Sequence, residues 1–205
     1  MTRQGTDEQL MYNETQILEA YSPVTERYRI HEEHPLYFIT MSVIHWLPVF
    51  VGAESCCVVT DSLRFCHEQK GLRINAFVIM PTHLHLILFD DGFDNQRLQP
   101  TIADMRKYTG RRLADFCDHS MPPVFGQLMR SGRRADRHRH FWQPTRHPVA
   151  IHSQSLWRTK FDYVHDNPRR KGLVLDATSW RFSSAAFWLL DPPGESDVPL
   201  TGVQW

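Results

Sequence analysis

The run of apolar and polar positions divides the chain into a polar start, a body of strands and amphipathic helices, and a mixed tail. Residues 1–33 are polar with little periodicity, and Ser22-Pro23 breaks any helix begun near Glu14, so a weakly ordered extension is predicted. From Leu36 to Val43, aromatic and β-branched residues predict a first strand. A helix is predicted from Glu54 to Lys70, with Gly71 as its stop. Two strands follow, Leu72 to Met80 and His83 to Phe89, joined by a short turn at Pro81-Thr82.

Beyond the Asp90-Asp91-Gly92 turn, Leu98, Ile102, Met105, Leu113 and Phe116 recur close to the helical period, with Arg106, Lys107, Arg111 and Arg112 on the exposed side. Phe141-Trp142-Gln143 and Pro148 to Ile151 return to strand character. A further helix is predicted, capped by Ser153 or Ser155 and ended by Pro168. Trp157, Phe161 and Val164 fall at i, i+4 and i+7 and form its buried stripe. Lys160, Tyr163 and Asn167 fall at i, i+3 and i+7, about a quarter turn round, beside the core rather than in it. Trp180 to Ala185 begins a last packed segment, and the Pro-rich, acidic tail from Asp191 is expected to be loose.

Composition adds limits. The 205 residues, 41% hydrophobic, suit one domain (34–190) between an extension (1–33) and a tail (191–205). No apolar run approaches the roughly 18 residues that span a bilayer, and the polar N-terminus is unlike a signal sequence, so a cytoplasmic location is expected. Cys56, Cys57, Cys66 and Cys117 form no Cys-x-x-Cys pair and argue against a disulfide scaffold or a zinc knuckle. The formal net charge of zero conceals an asymmetry: 15 Lys or Arg face 5 Asp or Glu between Arg106 and Lys171. That excess points to a polyanion partner, with the stretch holding Arg133, Arg134, Arg137 and Arg139 as a phosphate-contacting loop.

The candidate chemistry starts with His83-Leu84-His85. Strand side chains at i and i+2 share a face, so the two imidazoles stand side by side while Leu84 turns into the core. With 12 His in the chain, chance supplies roughly 0.7 such pairs, and His138-Arg139-His140 reads as part of the basic loop. What distinguishes the first pair is its hydrophobic strand-turn-strand setting, which makes His83 and His85 candidate metal ligands.

Ala76 to Leu88 with its His-x-His, followed downstream by Tyr163-Val164-His165-Asp166-Asn167-Pro168-Arg169-Arg170-Lys171-Gly172 and Trp180-Arg181-Phe182-Ser183-Ser184-Ala185, resembles the single-tyrosine HUH transposases, in particular the REP-associated tyrosine transposases. The resemblance spans Leu36 to Ala186. It implies an α+β, ferredoxin-like antiparallel sheet flanked by helices, with the histidines on a central strand and the nucleophile Tyr163 on a helix beside it. It also implies that Asn167, one turn past the tyrosine, completes the metal site. Two departures stand out: a long segment before Phe141, and His165 where an apolar or aromatic residue is expected.

On this reading His83, His85 and the Asn167 oxygen hold Mg²⁺ or Mn²⁺, and Tyr163 attacks a single-stranded or hairpin-associated DNA phosphodiester to give a 5′-phosphotyrosine. A phenol ionises near pH ~10, so Lys160 is expected to stabilise the phenolate or contact the phosphate. Arg106, Lys107, Arg111, Arg112, Arg133, Arg134, Arg137, Arg139, Arg169, Arg170 and Lys171 are the expected DNA contacts, and the protein is expected to act as a monomer or homodimer without membrane association. Two alternatives compete: a non-catalytic hairpin-binding protein on the same fold, and a His-x-His metal-dependent hydrolase or oxygenase using Asp90 or Asp91.

Overall fold

Strand β1 (Leu36–Ser42), helix α1 (Ala53–Lys70), strands β2 (Leu72–Met80) and β3 (His83–Asp90), helices α2 (Asn95–Ser120) and α3 (Pro123–Ser131), strand β4 (Val149–Ala150), helix α4 (Gln154–Arg170) and helix α5 (Ala185–Leu189) follow one another along the chain. The computed structural model describes residues 36–131, 139–144 and 148–205. The predicted extension 1–33 and Arg133, Arg134 and Arg137 lie outside the described residues. Every pairing in the four-stranded sheet is antiparallel, in the order β2-β3-β1-β4. This is the βαββαβ arrangement of a ferredoxin-like α+β fold, with β3 between β2 and β1. Among the described residues no helix is long and apolar enough to cross a membrane.

Both faces of the sheet are covered. Tyr37, Ile39 and Met41 of β1 and Leu84, Leu86 and Leu88 of β3 pack with Val59 and Leu63 of α1 and Leu98, Ile102 and Met105 of α2. On the other face, Phe38, Val78, Met80, Ile87 and Phe89 pack with Phe161 and Val164 of α4. Strands buried on both sides carry near-continuous apolar runs, which is why Leu72 to Met80 shows so little alternation. Within it, Leu72 and Ile74 face α1 and α2, as do Phe77 and Ile79, a change from even to odd numbering. A bulge between Ile74 and Ala76 makes the switch. The extra residue, Asn75, is buried, accepts from Trp157 Nε1 at 2.8 Å and donates to the Thr201 carbonyl at 3.0 Å, so the bulge ties α4 and the C-terminal segment to β2.

Helix termini follow the local sequence. Gly71 takes φ 68° and closes α1, Asp94 caps α2 through Gln96 N and Arg97 N, and Ser153 caps α4 through Leu156 N. Pro168, expected to end α4 through the bias proline places on the residue before it, does not. It sits in the last turn, where its ring removes one donor, and the helix runs on to Arg170. Lys171 N then bonds the Asn167 carbonyl at 3.0 Å and Leu173 N the Pro168 carbonyl at 2.9 Å. The strand expected at Phe141-Trp142-Gln143 reduces to an isolated bridge between Val43 and Trp142, and α3 fills part of the long segment before it.

The C-terminal tail, expected to be loose, is packed. Val198 is buried, Leu200 bridges Ile74, and Thr201 N donates to the Ile74 carbonyl at 2.8 Å. Together with Ile79 N donating to the Phe182 carbonyl and Ser184 N to the Phe77 carbonyl, this covers the open edge of β2, a row of otherwise unpaired backbone groups. All four cysteines are free thiols.

Candidate functional site

β3 begins at His83, and its two histidines point to the α4 side of the sheet while Leu84 faces α1 and α2. Their rings stand 4.8 Å apart between centroids. Each Nδ1 meets a threonine hydroxyl. Thr40, the cross-strand partner of His85 on β1, places Oγ1 at 2.8 Å, and Thr82 places Oγ1 at 3.0 Å from His83 Nδ1. In the tautomer with Nδ1–H donating to threonine, each Nε2 keeps its lone pair for a ligand, as an outer hydrogen bond does for metal-bound imidazoles.

The surroundings favour neutral rings. Burial, and secondarily the Lys171 ammonium, pushes His83 down to about 4. Burial, followed by His83 and Lys160, holds His85 well below the usual imidazole range. His85 is 4% exposed, and its Nε2 is buried with no protein partner.

α4 supplies the opposite wall. The Tyr163 ring stands edge-on to His85 at 5.1 Å and to Phe38 at 6.0 Å, and Phe38 stacks on His85 at 5.3 Å. Lys160 Nζ lies 5.0 Å from the Phe38 ring centre and 6.0 Å from that of Tyr163, and the Arg170 guanidinium lies 5.6 Å from the Tyr163 ring. Two cations therefore lie by the phenol ring, one from the helical turn before Tyr163 and one from near the end of the helix. One turn beyond Tyr163, Asn167 is 3% exposed, and its Oδ1 is likewise buried without a protein partner. Two imidazole nitrogens with an amide oxygen would make a mixed set of the kind that suits a divalent ion retaining open positions, and the unpartnered His85 Nε2 and Asn167 Oδ1 are compatible with that use.

A carboxylate-based site does not assemble. Among the described residues no group of three or more His, Cys, Asp or Glu could hold a metal. Asp90 is at the far end of β3 from His83, bound by Arg97 through Nε at 2.7 Å and Nη2 at 2.6 Å, and Asp91 pairs with Arg73 and Arg97. The His-x-His hydrolase or oxygenase with Asp90 or Asp91 as third ligand is thereby excluded. His165 is not an added ligand either: it packs on Phe161 at 4.3 Å and bonds Ser184 Oγ through Nε2 at 2.7 Å.

The basic residues predicted to meet DNA separate into groups. Arg170 and Lys171, at the end of α4, adjoin the histidines and tyrosine. Arg169 is engaged with Asp166 at 2.5 and 2.9 Å. Lys107, Arg111 and Arg112 are exposed on α2, which covers the sheet face away from the histidines. Arg106 donates to the Gln143 carbonyl at 2.8 Å, and Arg139 pairs with Asp115 at 2.6 Å and Asp118 at 2.8 Å. Sequence reasoning missed Thr40 and Thr82, whose roles depend on strand register and the turn. Arg170's place over Tyr163 was signalled by its i+7 spacing.

No protein-family model matches the chain, and no curated protein matches it. Among solved structures, a REP-associated tyrosine transposase bound to a REP hairpin superposes over 91% of this chain and 94% of its own, with a TM-score of 0.55 and 16% sequence identity. A protein of Deinococcus radiodurans R1 assigned as a transposase covers 62% of this chain and 86% of its own, with a TM-score of 0.43 and 20% identity. The strand order, the helices on both faces and the first of these superpositions give one conclusion: the chain has the fold of a REP-associated tyrosine transposase.

Proposed function

We propose that the chain is a REP-associated-type tyrosine transposase, a metal-dependent DNA strand transferase that cleaves and rejoins single-stranded DNA beside a hairpin. The observation that carries this reading is His85 Nε2, buried without a partner on the ring that meets Tyr163 at 5.1 Å, together with Asn167 Oδ1, likewise buried without a partner one helical turn past that tyrosine. Buried polar atoms are ordinarily hydrogen-bonded, so His85 Nε2 and Asn167 Oδ1 are both free to take a ligand; His165 Nδ1 is also buried without a partner, but that ring is held by Phe161 and Ser184 away from the tyrosine. The REP hairpin held by the protein that shares this fold supports a hairpin-bearing strand as substrate.

Tyr163 Oη attacks the phosphorus in line. The O–P bond to tyrosine forms as the bond to the 3′ oxygen breaks, leaving a 5′-phosphotyrosine and a 3′-hydroxyl; the phenolic proton goes to solvent and the departing oxygen takes one up. Attack of a 3′-hydroxyl on the phosphotyrosine reverses the step without ATP. Lys160 and Arg170 place positive charge over the ring that becomes a phenolate. Thr40 and Thr82 fix the orientation of the two imidazoles. Mg²⁺ or Mn²⁺ on His83, His85 and Asn167 supplies Lewis acidity to the phosphate oxygens when bound. Lys171 and Arg170 hold the strand on this face.

The test is incubation of the protein with labelled hairpin-bearing single-stranded DNA from around its own gene, with Mg²⁺ or Mn²⁺, on denaturing gels. A covalent protein–DNA adduct is expected, absent in Tyr163→Phe and in His83→Ala. Cleavage that survives Tyr163→Phe would replace this mechanism with a water-using nuclease, and binding without cleavage would identify a hairpin-binding protein.

A further inference from the structure

The segment between β1 and α1 holds the most exposed aromatic side chain beside the histidines. His45 and Trp46 take φ 53° and 54°, consecutive left-handed conformations of residues with bulky side chains. Residues other than glycine rarely adopt this conformation, and such strain collects where function requires it. The chain is held firmly on both sides of the strained pair. Val43 N donates to the Thr82 carbonyl at 2.9 Å, Ile44 N to the Phe141 carbonyl at 2.7 Å and Phe50 N to the Pro81 carbonyl at 3.0 Å, and Leu47, Val49 and Phe50 are buried. The Val43 and Phe50 bonds tie the segment to the same Pro81-Thr82 turn that opens into His83.

A turn with only a connecting role would place Gly or Asn at a left-handed position and a polar side chain in water. Here Trp46 is 56% exposed, and its indole stands edge-on to His83, with centroids 6.0 Å apart at 79°. The Lys171 ammonium also acts on His83. A half-exposed indole set edge-on to His83, with a lysine ammonium acting on the same imidazole, has the chemistry of a nucleotide subsite, the base on the indole and the phosphate on the amine.

We infer that Trp46 is a base-stacking platform, which takes the unpaired base flanking the scissile phosphate and thereby positions that phosphate over His83. This inference rests on the strand-transfer reading and adds a residue to it. Stacking needs only a base's π-face, so the platform selects single-stranded over duplex DNA and tolerates several bases.

The test measures DNA binding by Tyr163→Phe protein, which cannot turn over, using labelled hairpin DNA in which an abasic site is walked through the unpaired nucleotides. One abasic position is expected to weaken binding roughly 5- to 150-fold, the range for one lost base–aromatic stack. Trp46→Ala is expected to weaken binding to intact DNA by a similar factor and to make that abasic position cost nothing further, whereas Trp46→Phe retains most of the affinity. Trp46→Gly relieves the left-handed strain, so it should melt no lower than the parent while losing the same affinity, which a structural role would not produce. An abasic profile unchanged in Trp46→Ala, or flat in the parent, overturns the inference while the covalent adduct formed by Tyr163-containing protein leaves strand transfer standing. Absence of both adduct and binding overturns the two together.

Discussion

Replacing Asn167 with leucine separates a ligand from a structural amide. Asn167 Oδ1 is buried with no partner in the fold. A buried acceptor left unsatisfied costs about 1–3 kcal/mol, and an apolar side chain of similar shape removes that cost. Metal-free Asn167→Leu is therefore expected to be as stable as the parent or up to ~3 kcal/mol more stable, which at about 2–4 °C per kcal/mol for a domain of this size raises the melting temperature by as much as roughly 10 °C. Metal binding reverses the order. Mn²⁺ at about a hundred times its Kd stabilises the parent by about 2.7 kcal/mol, and a site reduced to His83 and His85 binds more weakly, so the leucine variant gains less at the same concentration. The assay is a pair of thermal melts for each protein, one with EDTA and one along a Mn²⁺ titration. A leucine variant that loses more than about 2 kcal/mol without metal, or gains as much from Mn²⁺ as the parent, refutes the assignment of Oδ1 as a waiting ligand.

Thr40→Val removes the hydroxyl at 2.8 Å from His85 Nδ1 while keeping the β-branched shape, and metal affinity measured by calorimetric titration is expected to fall about 10- to 100-fold with the fold retained. Asn75→Ala empties the bulge of its side-chain bonds to Trp157 and Thr201 and should cost about 2–4 kcal/mol in denaturant unfolding, with α4 and the C-terminal segment the first to lose hydrogen-exchange protection. Burial pushes both His83 and His165 down to about 4, whereas an unfolded imidazole protonates near ~6.5. Between those values the unfolded chain takes up protons that the folded one refuses. Metal-free stability should thus fall as pH drops below about 6.5, by about 1.4 kcal/mol per pH unit for each ring, and denaturant midpoints at pH 7.5 and 5 that coincide would contradict it.

Much of this protein was determined by local sequence. The i, i+2 spacing of His83 and His85 fixes their common face on any strand, and the i, i+4 spacing of Tyr163 and Asn167 fixes their common edge on any helix. Gly71 and Ser153, at the ends of helices α1 and α4, act through bonds within a few residues, so their roles were legible too. Strands β1 to β3 declared themselves by composition, and the order of these elements matches the resemblance that Ala76 to Leu88 and Tyr163 to Gly172 carry. Tertiary structure decided the rest, because it depends on partners far away in the chain. Thr40 reaches His85 only through the β1–β3 register, and Arg139 spends its charge on Asp115 and Asp118 of a distant helix turn. Asn75 looks like any polar residue in an apolar run until Trp157 and Thr201 converge on it to hold the bulge. The tail, polar and Pro-rich in sequence, docks because the edge of β2 has backbone groups that only another segment can satisfy. Likewise, nothing local tells that Asn167 is buried or that Trp46 is held left-handed beside His83; tertiary packing decides both.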